Sequence, residues 1–167
     1  MRAFSVVSLL VVTAIVAVVV AMVRDSQADA ATGDCPPGVP KVDLTLPNDP
    51  ALVKIRVLNG SKAKGTAERV TEEFKNRGFQ VQPPAKSKNK LTRVAVIHYG
   101  PKAVGAAQWI RAHFLGAAEP QFSAARADDV IDVVIGDQYQ QLATRTEVNQ
   151  SLAQLSGPAL PPGTCSA

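Results

Sequence analysis

Ile55-Arg-Val-Leu-Asn-Gly-Ser61, with Lys64-Gly-Thr-Ala67 close behind it, is the stretch whose reading decides the fold. Val53, Ile55 and Val57 alternate with Lys54 and Arg56, the period of two of a half-buried strand. Asn59-Gly60 is a strong turn signal, and beyond it Ala63, Ala67, Val70 and Phe74 recur at helical spacing until Gly78 supplies a stop. The stretch therefore predicts a strand that turns sharply into a helix.

Working outward, the apolar periods predict strands over 52–58, 79–82, 92–99 and 130–135, and helices over 66–77 and 101–115. Pro101 suits the first turn of the second helix, where its missing N–H is no loss. The order β-α-β-β-α-β is that of the split βαβ, an α+β ferredoxin-like domain with two helices on one face of a four-stranded antiparallel sheet ordered 4-1-3-2. Alternation then sends Val53, Ile55, Val57, Phe79, Val81, Val94, Val96, Ile131, Val133 and Ile135 toward the helices, to meet Ala67, Val70, Phe74, Ala107, Ile110 and Phe114. A third, narrow stripe (Val148, Leu152, Leu155) predicts a short helix in the tail, where it can return toward Cys35 and cover part of the open sheet face.

The N-terminus sets the compartment. Residues 3–23 carry no charge and no proline, and about 20 apolar residues suffice to cross a bilayer. Ala28-Asp29-Ala30 has the small-x-small form of a signal-peptidase site, so a cleaved leader is the alternative, although the apolar run is longer than the 7–15 residues usual there. With Arg2 ahead of the span and Arg24 offset by Asp25, the positive-inside rule places the N-terminus in the cytoplasm and the rest outside, a single-pass membrane protein. The prolines of residues 24–50 predict a linker. Cys35 and Cys165, each in a proline-flanked tail of an exported chain, read as one disulfide.

The ordered set of segments resembles the LytR C-terminal domain of envelope proteins. Besides the opening strand and turn, Gly78-Phe-Gln-Val81, Thr92-Arg-Val-Ala-Val-Ile-His-Tyr-Gly100 and Asp132-Val-Val-Ile-Gly-Asp-Gln-Tyr139 match its pattern in order, from Leu52 to Tyr139. The chain then divides into an anchor or leader (1–24), a linker (25–50), a LytR C-terminal-like domain (51–139) and a tail tied back by the disulfide (140–167). In the ligases that share this domain, catalysis belongs to a separate domain for which this chain has no room. The resemblance implies an accessory or binding role.

Charge is uneven: residues 51–116 carry thirteen Lys or Arg against three Glu, while both flanks are net acidic. Lys62 and Lys64 in the first strand-to-helix loop, and Lys86, Lys88 and Lys90 in the expected hairpin between the second and third strands, should share one end of the sheet with Ser61. Together with the first helix's N-terminus they form a candidate site for an anionic cell-wall polymer. The alternative is a solvated lysine surface, and Asn59-Gly60-Ser61 is equally explained as a turn. A second candidate surface is the open sheet face, with Lys54, Arg56, Arg93, Tyr99 and Asp132 docking an envelope protein.

No catalytic constellation stands out. His98 and His113 are isolated, no second Cys or His lies at metal-ligand spacing, and no Gly-rich phosphate loop precedes a Lys-Ser/Thr pair. The expectation is a non-enzyme without cofactor or metal. Nucleic acid is not an expected partner, since no aromatic ladder interleaves the lysines.

Overall fold

The computed structural model describes residues 35–167. Along them run strands β1 (Lys41–Val42), β2 (Lys54–Asn59), β3 (Gln80–Lys86), β4 (Ala95–Tyr99), β5 (Glu119–Phe122), β6 (Val130–Ile135) and β7 (Cys165–Ser166), with helices α1 (Thr66–Asn76), α2 (Val104–Ala112) and α3 (Arg145–Gln154). The expected membrane segment, 3–23, lies outside the described residues, and among these no helix is long and apolar enough to cross a membrane.

The alternation in β2 is realised: Ile55 and Val57 are fully buried while Lys54 and Arg56 stay partly exposed. The topology differs from the ferredoxin-like expectation. The sheet has five strands in the order β3-β2-β6-β4-β5 and is mixed, not a four-stranded antiparallel sheet ordered 4-1-3-2. β2 pairs in parallel with both β3 and β6, β4 is antiparallel to β6, and β5 is parallel to β4. The cause is β5, a short Glu-Pro-Gln-Phe strand with no alternation to announce it. It makes β4-α2-β5 a second βαβ unit beside β2-α1-β3, and a helical crossover returns the chain to pair in parallel with the strand it left. The two units run in opposite directions and β6 fills the gap between them, giving a mixed α/β domain. Each edge strand carries proline, Pro83 and Pro84 in β3 and Pro120 in β5, which suits positions where a ladder N–H is dispensable.

Both crossover helices lie on one face, where Phe74 of α1 meets Phe114 (ring centroids 6.4 Å) and His113 (5.6 Å) beyond α2. The core there holds Ile55, Val57, Ile131, Val133, Ile135, Ala95, Ile97 and Tyr99, with Ala67, Val70, Ala107 and Ile110 from the helices. β4 is one residue out of the expected phase: Ile97 pairs across from Val133, so Val96 lies on the opposite face beside Val134. Helix α1 ends as its glycine demands. Gly78 adopts φ 93°, its N–H donates to the Lys75 carbonyl, and the Phe79 N–H reaches back to Phe74, with the two rings in contact at 5.3 Å.

Between β3 and β4 there is no hairpin. Residues 87–94 cross the carboxyl ends of β2 and β6 as a strap, held by Ser87 N–H to Asn59 O (3.0 Å), Leu91 N–H to Gly60 O (2.9 Å), Asp137 N–H to Leu91 O (2.8 Å) and Gly136 N–H to Val94 O (3.0 Å). This explains the two glycines beneath it. A Cβ at Gly60 would sit 2.9 Å from Val134 Cγ1 and 3.2 Å from Leu91 Cβ, and one at Gly136 would strike the carbonyl oxygens of Arg93 and Leu91.

The expected linker belongs to the fold from residue 36 onward. β1 pairs in parallel with β7, Lys41 opposite Cys165, and the Gly105 N–H at the start of α2 donates to the Asp43 carbonyl (3.0 Å). The Cys35–Cys165 disulfide is present. Helix α3, begun by a Thr144/Glu147 capping box, packs on α2 through Val148, Ala143 and Ala112, with Trp109, Leu152 and Leu155 around them. It does not cover the open sheet face.

Candidate functional site

β2 and β3 run parallel, so the loops that leave their carboxyl ends lie side by side. Between them opens a cleft of about 560 Å³, bordered by Asn59, Ser61, Lys62, Lys64, Lys86 and Lys90, with Gly65 and Glu68 from the start of α1. The expected convergence of the two lysine loops is therefore seen, on a different topology from the one that suggested it. Lys88 sits on the same strap, exposed, but does not line the cleft. Crevices outside strand carboxyl ends are where open α/β sheets place ligands.

The turn beneath the cleft is built from its own side chains. Asn59 Nδ2 donates to the Ala63 carbonyl (2.8 Å), while its Oδ1 accepts from the Ser61 N–H (2.9 Å) and hydroxyl (2.8 Å). Ser61 is 3% exposed, so its hydroxyl shapes the turn and does not face a ligand. Lys90 Nζ donates to the Ser61 carbonyl (2.7 Å) and pins the strap to the loop. The Lys62 N–H donates to Asp137 Oδ1 (2.7 Å), and its ammonium lies 3.9 Å from the same carboxylate, an exposed and weak pair. Among the described residues Lys64, Lys86 and Lys88 form no ion pair. Gly65 is the N-cap of α1, provides no side-chain cap and borders the cleft, which places the positive end of the helix beside it. Glu68 is the one acid on its border.

The open sheet face is arranged differently. Arg56 grips Asp132 through two bonds (Nε–Oδ1 2.8 Å, Nη2–Oδ2 2.9 Å), and Arg126, which carries no signal in the sequence, adds a third from Nη1 (2.9 Å). Burial opposes ionisation of Asp132, but the hydrogen bonds and charges of the two arginines outweigh it and hold the carboxyl below its ordinary range. Lys54 pairs with Asp129 at 2.8 Å, and Arg93 pairs with Glu119. Tyr99, expected on this face, lies on the other, buried in the helix-side core and 5.9 Å from the Phe122 ring. His98 takes its place, and burial lowers its pKa. The charges of this face are thus spent on one another.

Two opposed βαβ units joined through a central strand, with a lysine-bordered cleft at the strand carboxyl ends, define a mixed α/β domain. The chain belongs to the LytR C-terminal family, described as LytR cell envelope-related transcriptional attenuator, whose family model matches residues 52–139. That domain is of attenuator type and not a known catalytic one. No curated protein matches the chain. Among solved structures the chain is similar to the soluble domain of a conserved hypothetical secreted protein, the Rv2700 ortholog of Mycobacterium marinum, at 28% identity and a TM-score of 0.50, covering 73% of this chain and 83% of that one. A second likeness, to the C-terminal domain of RV0431, has 21% identity and a TM-score of 0.33 over 64% of this chain and 88% of that one, and carries no argument.

Proposed function

We propose that this is a non-enzymatic cell-envelope module that lies outside the membrane, tethered or released by its N-terminal segment, and contributes to envelope integrity by holding an anionic wall polymer in the lysine cleft. The observation that carries the reading is the cleft itself: Lys62, Lys64, Lys86 and Lys90 border one concavity beside a helix N-terminus without a side-chain cap, and three of these four form no ion pair among the described residues. A polymer of phosphodiesters or uronic acids supplies repeating negative charge that such a cleft can track. The cell-envelope relation of the family and the secreted relative support the compartment. Docking of an envelope protein on the open sheet face is the weaker reading, because Asp132, Arg56 and Arg126 are already paired with one another.

Retention of the oxidised domain, residues 34–167, on an immobilised polyuronate or polyphosphodiester tests this. Binding should fall steeply as ionic strength rises and be lost when Lys62, Lys64, Lys86, Lys88 and Lys90 are all changed to Gln. Retention that is indifferent to salt, or that survives the fivefold change, would refute the proposal.

A further inference from the structure

At the opposite end of α1 lies a second concavity, of about 460 Å³, within the ~300–1,000 Å³ span of small-molecule sites. Three helices build it. Arg77 and Phe79 come from the end of α1, Trp109 and His113 from α2 and its cap, and Arg145 from the first turn of α3. Phe79 and Trp109 form one wall, with ring centroids 5.4 Å apart, and Val148 contributes to the lining. Asp49 also borders the pocket, with its Oδ1 accepting from the Ala51 N–H (2.9 Å).

His113 is the informative member. It is 4% exposed, and its Nδ1 lies 3.0 Å from the Trp109 carbonyl. A carbonyl only accepts, so Nδ1 carries the hydrogen and Nε2 is left as the ring's acceptor. Nε2 is not a buried, unsatisfied atom, so a ligand hydroxyl donated to it would take the place of water. Arg77 uses Nη1 on the Ala143 carbonyl (2.6 Å) and keeps its other donors, while Arg145 forms no ion pair among the described residues. The pocket therefore offers an aromatic wall, guanidinium donors suited to a carboxylate and one ring acceptor for a hydroxyl.

We propose that this pocket binds a single acidic sugar, a pyranose bearing a carboxylate, with its ring against Phe79 and Trp109, its carboxylate toward Arg77 and Arg145, and a hydroxyl donated to His113 Nε2. An aryl acid would satisfy the wall and the cations but offer Nε2 no donor. The site is independent of the lysine cleft, which lies roughly 17 Å away along α1.

Trp109 is the only tryptophan in the chain, so intrinsic fluorescence reads this pocket directly. The full chain in an uncharged detergent is titrated with glucuronate, glucose and phenylacetate. Glucuronate should give a saturable change in the millimolar range, with glucose and phenylacetate each at least about tenfold weaker, and Arg145→Gln should weaken glucuronate by about tenfold. The variant with all five cleft lysines changed to Gln should respond as the wild type does, which separates failure here from failure of the polymer reading. No saturable response to glucuronate, an equal response to glucose, or loss of the response in the lysine variant overturns the proposal. Phenylacetate binding as tightly as glucuronate overturns the sugar assignment.

Discussion

Gly136→Ala should destabilise the domain far more than the addition of one methyl just past a strand end suggests. The added methyl would lie 2.7 Å from the Leu91 carbonyl oxygen and 2.9 Å from Leu91 Cγ, and closer still to the Arg93 carbonyl. Two of these obstacles are backbone atoms of the strap over residues 87–94, which cannot rotate away, so the strap itself must lift. Overpacking of this kind costs about 1–3 kcal/mol. Lifting also strains the bonds from Gly136 N–H to Val94 O and from Asp137 N–H to Leu91 O, which are worth about 1 kcal/mol each. The sum is ~3–5 kcal/mol, or roughly 10–20 °C in Tm for a domain of this size. Urea unfolding followed by circular dichroism measures it, with Gly157→Ala as the control, since nothing lies within 4 Å of a Cβ there. Because the strap carries Lys88 and Lys90, polymer retention should fall with stability. A Gly136→Ala protein within about 0.5 kcal/mol of wild type, at unchanged m, would refute the crowding argument.

The disulfide closes nearly the whole described chain, and removing it through Cys35→Ser with Cys165→Ser should cost about 4–5 kcal/mol in the chain-entropy model; equal urea midpoints for the two proteins would contradict this. Burial pushes His113 down to about 4, so the unfolded chain takes up its proton first as pH falls. Stability from this group is complete above about pH 6.5 and is lost between there and about 4, by at most ~3 kcal/mol; a His113→Phe protein should lack that slope. Asp132 has the opposite chemistry and a lower window. Its depressed pKa contributes stability that is present above about pH 4 and is lost as pH falls further, and Asp132→Asn should remove this dependence while costing about 1.5–3 kcal/mol at neutral pH. Equilibrium unfolding from pH 3 to 7 separates the two, and coincident slopes in all three proteins would count against both assignments.

The strand-turn-helix unit was legible because its signals are local: alternation through Val57, helical spacing from Ala67 to Phe74, and a glycine whose positive φ ends the helix. What misled was non-local. Val94, Ala95, Val96 and Ile97 are four consecutive apolar residues, so nothing in them sets which pair faces the helices; pairing with Val133 and Val134 decides it. Strand β5 contains Glu119 and Pro120 and has no period, yet its presence converts a four-stranded antiparallel expectation into two βαβ units. The lysine cleft survived this error because loops at the carboxyl ends of parallel neighbours meet just as the expected hairpin would have. Asn59-Gly60 was read correctly as the point where the strand ends, but the glycine is needed for the strap crossing over it. The aromatic pocket draws on three helices, and only the Trp109–His113 spacing of one helical turn hinted at it.

The most direct test of the polymer-binding claim is an NMR titration of the oxidised domain, residues 34–167, with a soluble polyuronate at two ionic strengths, alongside the variant with all five lysines changed to Gln. Salt-sensitive shifts clustered over residues 61–65 and 86–90, and absent from the variant, are the predicted result. Unperturbed spectra, or shifts centred on Arg56, His98 and Arg126 instead, would contradict it and make the open sheet face the site of contact.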